Sequence, residues 1–156
     1  MKKDFTAVAP TGTRKTPSIS NDAAGVLLFY KQDVLLAKRS PQDLYGQNAA
    51  FGGYWSPFGG SVEEGENPIL AACRELYEES GLELHLDQLS YIKSVPRETY
   101  QFHIYGHELE DLFIPKLDFE HTDYGYFYVN FLRDNPSPLC PEILSAIDRY
   151  VQVLRP

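Results

Sequence analysis

Apolar positions come as short runs early in the chain and at helical spacing later. Ala23 to Tyr30 (AAGVLLFY) and Val34 to Ala37 (VLLA) are separated only by Lys31, Gln32 and Asp33, the pattern of two strands joined by a tight turn. Ser40 to Gly53 carries turn residues and no sustained period, so it reads as a long loop whose Gly and Ala content leaves it mobile. Tyr54 to Ser56 predicts a short strand running into Pro57, Phe58, Gly59 and Gly60. A helix follows. Asn67 suits its N-cap, Pro68 its first position and Gly81 the left-handed residue that ends it, while Ile69, Ala72, Cys73 and Leu76 form a buried stripe. Leu89 to Ser94, Tyr100 to His107 and Asp123 to Phe131 predict three more strands. Pro141 to Leu154 reads as a terminal helix with Ile143, Leu144, Ile147, Val151 and Leu154 on one face. The expected class is α/β, with helices packed on a mixed sheet.

Length and composition then bound the organisation. The 156 residues fit one domain over 20–156, and the mixture of Lys, Thr, Pro and Ser in residues 1–19 reads as an extended arm. A formal charge of −8 argues against a general nucleic-acid surface, because phosphate backbones are held mainly by Lys and Arg. An acidic chain that takes a small anion needs a basic cluster or divalent ions to offset its own field. Cys73 and Cys140 are too few for a disulfide framework or a zinc site. With no secretory or membrane-spanning pattern in view, the expected location is cytoplasmic.

Carboxylates that could hold such ions lie on the central helix. Glu75, Glu78 and Glu79 stand at i, i+3 and i+4 and so share one stripe, turned by about 120° from the apolar one. Like charges at that spacing cost a helix about 0.2–0.5 kcal/mol per pair, so folding alone gives no reason for them. A hard divalent cation reverses the sign, since it is bound by several oxygens at once. The competing reading is a solvated acidic face.

The residues around this stripe decide between the two. Gly60, Glu66, Arg74-Glu75-Leu76, Glu78-Glu79, Gly81 and Leu82 stand at spacings that resemble the complete Nudix box, G-x(5)-E-x(7)-R-E-U-x-E-E-x-G-U with U aliphatic, and no position departs from it. A chance match in a chain of this length is on the order of 10⁻⁷. The resemblance implies an α/β/α sandwich with a mixed sheet between helices. It also implies hydrolysis of a diphosphate linkage in a nucleoside diphosphate derivative, with magnesium, or alternatively manganese, as cofactor.

What the resemblance implies for single residues follows box position by box position. Glu78, Glu79 and the Gly60 carbonyl are implied metal ligands, Glu75 is another or the group that orients the attacking water, Glu120 from the segment LDFEHTDYGYF is a further ligand, and Glu66 and Arg74 pair to brace the loop against the helix. The implied catalytic set is Glu75, Glu79 and Glu120, with Glu75 or Glu120 as the base that takes a proton from water. His121 reads as a surface or packing residue. Arg39 and Arg97 are candidate phosphate contacts, and Trp55 and Phe58 candidate substrate contacts.

The box leaves the rest of the substrate open. The segment Phe51 to Gly60 is similar to the one that leads into the box of oxidised-purine nucleoside triphosphatases, which also carry Trp and then Phe-Gly-Gly. Many other members place Pro directly before Gly-Gly, whereas Phe58 intervenes here. Three small-molecule classes stand side by side: a nucleoside triphosphate, a nucleotide sugar or ADP-ribose-like compound, and a dinucleoside polyphosphate. The alternative outside enzymology is a regulatory module that binds nucleotide without hydrolysis. The family also makes a homodimer an open expectation.

Overall fold

Strand β1, Ala23–Tyr30, is buried along nearly its whole length rather than at alternate positions, which means that both of its faces are covered. In the computed structural model, which describes residues 22–43, 45–49, 51–136 and 138–156, it is the central strand of a seven-stranded sheet. The expected N-terminal arm lies outside the described residues. β1 turns through Lys31, at φ 55°, into β2, Asp33–Arg39, and the pair is in register from Tyr30↔Asp33 to Leu28↔Leu35.

Beyond that hairpin end the two strands take different partners. β3, Trp55–Ser56, pairs with β2 at Lys38 and Ala37, while β4, Phe58–Ser61, pairs with β1 from Val26 to Ala23. Pro57, which has no amide proton, stands between the two pairings, where the chain changes partner. β6, Gln101–Glu108, runs parallel to the other edge of β1 and carries β5, Ser90–Pro96, antiparallel beside it. β7, His121–Tyr128, lies antiparallel along the far side of β2.

Alternate residues of β1 feed two separate cores. Ala24, Val26 and Leu28 pack with Ala71, Ala72 and Leu76 of helix α1, Pro68–Ser80. Leu27 and Phe29 pack on the opposite face with Val129 and Leu132 of α2, Val129–Asp134, and with Ile143, Ala146 and Ile147 of α3, Ile143–Arg149. Helices on both faces of a mixed sheet make this an α/β/α sandwich.

Two expected boundaries shift. The last strand stops at Tyr128 instead of continuing to Phe131, because its register partner on β2 begins at Asp33 and nothing remains to pair with. The chain then folds back as α2, placing Val129 and Leu132 on the core. The terminal helix starts at Ile143 after Glu142, at φ 70°, and its last turn, Tyr150–Leu154, widens to π geometry. Among the described residues of the segment expected to be a loop, Asp43 Oδ1 accepts from the amides of Tyr45 and Gln47 at 2.9 Å.

Candidate active site

Helix α1 is delimited at both ends. Asn67 accepts from the Ile69 amide at 3.1 Å, Pro68 opens the first turn, and Gly81, at φ 84°, donates its amide to Tyr77. An N-cap of this kind stabilises a helix by about 1 kcal/mol. With its ends fixed, the helix lays Glu75 and Glu79 inward against β4, and both are wholly buried. Glu78 stays half-buried at the rim.

The two glycines of β4 are what admit these carboxylates. The Gly59 amide donates to Glu79 Oε1 at 2.8 Å. A Cβ on Gly60 would lie 2.5 Å from Glu75 Oε1, so only glycine leaves that carboxylate its place. Because the clash is with the end of a side chain, Gly60→Ala is expected to destabilise by only about 1–3 kcal/mol. With Glu75 in the catalytic role that the resemblance implies, pushing its carboxyl aside is nevertheless expected to cut kcat by about a hundredfold. Thermal melts and turnover on one preparation check both halves, and unchanged turnover would show that Glu75 need not lie against Gly60.

Arg74 gathers the loop and the helix on one guanidinium. Its Nε and Nη2 each donate to Glu66 at 2.9 Å, Nη2 also reaches the Ser61 carbonyl at 2.9 Å, and Nη1 donates to Glu75 at 3.0 Å and lies 3.4 Å from Glu78. Burial on its own would raise the Glu66 carboxyl. The Arg74 hydrogen bond, the Glu63 amide and the Arg74 charge outweigh burial and hold it below its ordinary value. In return, the bond to Glu66 raises Arg74 against the cost of its own desolvation.

The expected ligands therefore fall into two groups. Glu75 and Glu78 share Arg74, whereas Glu79 and Glu120 converge with Asp118, their ligand atoms all within 4.8 Å of one another. Asp118 had no part in the sequence-based expectation, although it stands two residues before Glu120 in the same segment. Its neighbour His121, expected at the surface or in packing, has a side chain with no exposure, set edge-on to Phe58 at 5.5 Å.

The expected substrate contacts divide as well. Phe58 is fully buried in the core under α1, so its ring braces the sheet and offers no substrate contact. Arg39 and Arg97 both lie near enough to Cys140 to draw its thiol down against the dominant upward push of burial. The Trp55 carbonyl accepts from the Cys140 amide at 3.0 Å, which brings all three residues to one end of the sheet. There the Arg97 guanidinium sits over the rings of Phe51 and Phe102, at 5.3 and 5.7 Å.

A family model described as the NUDIX domain matches residues 20–147 of this chain. The chain belongs to the NUDIX family. The fold is shared with a MutT NUDIX hydrolase from Burkholderia pseudomallei, at TM-score 0.67 and 23% identity over 83% of this chain and 97% of that one. A bifunctional NMN adenylyltransferase/ADP ribose pyrophosphatase from Francisella tularensis, complexed with AMP and a manganese ion, gives TM-score 0.68 and 16% identity over 88% of this chain and 43% of that one. A C. elegans Ap4A hydrolase gives TM-score 0.57 and 20% identity over 83% and 95%. Among curated proteins, an octanoyltransferase from Myxococcus xanthus is 43% identical over 58 residues, which are 37% of this chain and only 14% of that protein. None of this chain's helices among the described residues is long and apolar enough to cross a membrane.

Proposed function

We propose that this NUDIX enzyme uses magnesium to hydrolyse the diphosphate linkage of a small nucleotide, with Glu75, Glu78, Glu79, Glu120 and the Gly60 carbonyl as the metal-holding set and Asp118 joining it beside Glu79 and Glu120. The observation that carries the reading is the convergence of Glu79, Asp118 and Glu120 within 4.8 Å at the buried flank of α1, where the amide of Gly59 in β4 donates to Glu79. An all-oxygen donor set of this kind fits a hard divalent cation and not a soft one. When bound, such an ion neutralises phosphoryl oxygens and lowers the pKa of water.

The chain's own residues supply the rest. Glu75 or Glu120 takes the proton from the attacking water, and the buried setting of Glu75 suits that task because a carboxylate shielded from bulk solvent interacts more strongly with a nearby proton donor. Arg74 holds Glu66, Glu75 and the Ser61 carbonyl together, so the loop and the helix keep one geometry through the reaction. Arg39 and Arg97 offer fixed positive charge to the phosphates, and Trp55 with Phe51 offers aromatic surface to the remainder of the substrate.

Three substrate classes remain within this reading: nucleoside triphosphates, nucleotide sugars or ADP-ribose-like compounds, and dinucleoside polyphosphates. Two of the solved neighbours carry names that point to the second and third of these, an ADP ribose pyrophosphatase and an Ap4A hydrolase. A panel drawn from each class, assayed with Mg²⁺ and with product identification, is expected to give one class turned over at a kcat/KM of about 10⁴ M⁻¹s⁻¹ or more. Tight metal-dependent nucleotide binding without turnover of any member would overturn hydrolysis and leave the regulatory module in its place.

A further inference from the structure

We propose that His121 is a positioning residue of the carboxylate site, and that its Nδ1–H holds Asp118 in place against Glu79 and Glu120. The inference rests on the metal-site reading above and adds a residue that the box does not contain.

The side chain of His121 has no exposure, and its Nδ1 lies 3.1 Å from Asp118 Oδ1. A carboxylate can only accept, so the ring presents Nδ1–H to it. Nε2 is then buried with no hydrogen-bond partner among the described residues. Leaving a buried polar atom without a partner works against folding, and the same position beside Phe58 could be filled by a phenyl ring with no such atom. What the imidazole adds over a phenyl ring is the single N–H to Asp118.

That bond bears on the site through two contacts. Asp118 Oδ1 also accepts the Glu120 amide at 3.1 Å, so one oxygen, fixed by two donors, orients both the Asp118 carboxylate and the backbone that carries Glu120. No hydrogen bond among the described residues reaches Oδ2. Glu120 is tied from its other side as well, its carbonyl accepting from the Ser40 amide at 2.8 Å. His121 itself pairs with Arg39 at the irregular end of the β2–β7 register, which shifts between Lys38 and Arg39. A buried donor at that point keeps three carboxylates convergent before any cation arrives. Outer partners of this kind typically change metal affinity by about 10–100-fold when removed.

The test is Mn²⁺ affinity measured by electron paramagnetic resonance on the full chain without nucleotide. His121→Phe keeps the ring volume and loses the donor, whereas His121→Asn offers an amide N–H in place of Nδ1–H; neither changes the carboxylate charges. The expected result is a Kd weakened about tenfold in His121→Phe. His121→Asn should recover most of that loss, and His121→Phe should have little further effect in an Asp118→Asn background. Long-range proton–nitrogen spectra of the protein should show the Nδ1–H tautomer. Equal affinities in wild type and His121→Phe, equal losses in the Phe and Asn variants, or losses that add to that of Asp118→Asn would each overturn the inference. Glu79→Gln is the control for the underlying reading: if it too leaves Mn²⁺ binding untouched, the metal site itself is wrong, and if it alone weakens binding, only the role of His121 falls.

Discussion

Glu79→Gln is expected to reduce kcat by about 10³-fold or more, the equivalent of the several kcal/mol of charge stabilisation that a bound cation supplies. The same substitution should leave the protein without metal as stable as wild type or more so. Glu79 is fully buried, its Oε1 accepts the Gly59 amide, and the glutamine carbonyl can accept that bond in the same place. Meanwhile one of three carboxylates within 4.8 Å loses its charge, which relieves repulsion in the absence of a cation. Activity and stability thus move apart, as they do where a strained arrangement is kept for function. Thermal melts with and without Mg²⁺, alongside turnover, separate the outcomes: wild type should gain stability from the ion and the variant should gain little. Near-normal turnover in the variant would remove Glu79 from the site.

How much of this was legible beforehand follows from the range of the interactions. The ends of α1 were readable because Asn67, Pro68 and Gly81 each act within a turn of their own position. The spacing of Glu75, Glu78 and Glu79 was readable for the same reason. Their division into two groups was not, since it depends on where Arg74 reaches and on which loop crosses the helix end. Asp118 was passed over because only the fold carries residues 118–120 to Glu79; in sequence it is one more acid in a polar segment. Phe58 was placed among the substrate contacts in a segment read by its resemblance to the lead-in of other family members, and a resemblance of segments does not say which way a ring points. The pairing of Phe58 with Val26 points the ring into the core under α1. The strand that ends at Tyr128 shows the same limit, as the aromatic run continues while its partner strand does not.

The second large effect is structural and falls on Arg74. Arg74→Ala removes both bonds to Glu66, the bond to Glu75 and the bond to the Ser61 carbonyl at once. Breaking a buried ion pair by losing one partner costs about 3–5 kcal/mol, and because Arg74 keeps 24% of its side chain exposed the expected loss is somewhat smaller, about 2–4 kcal/mol. For a domain of this size that lowers Tm by roughly 5–15 °C. Lysine should recover only part of it, since an ammonium cannot fork to Glu66 while also reaching Glu75 and Ser61. The pH dependence has a definite sign. Glu66 is held below its ordinary value of 4.5 in the folded chain, so its share of the stability is fully present above that pH and is lost as pH falls through the lowered folded value. The gap between wild type and Arg74→Ala should accordingly be widest near neutrality and narrow in acid. Added Mg²⁺ should stabilise the variant more than wild type, because a cation at the site replaces part of the positive charge that Glu75 and Glu78 have lost. Melts at pH 7 and pH 4, each with and without Mg²⁺, decide the point: a gap independent of pH would mean that Arg74 acts by packing its stem and not by its charge.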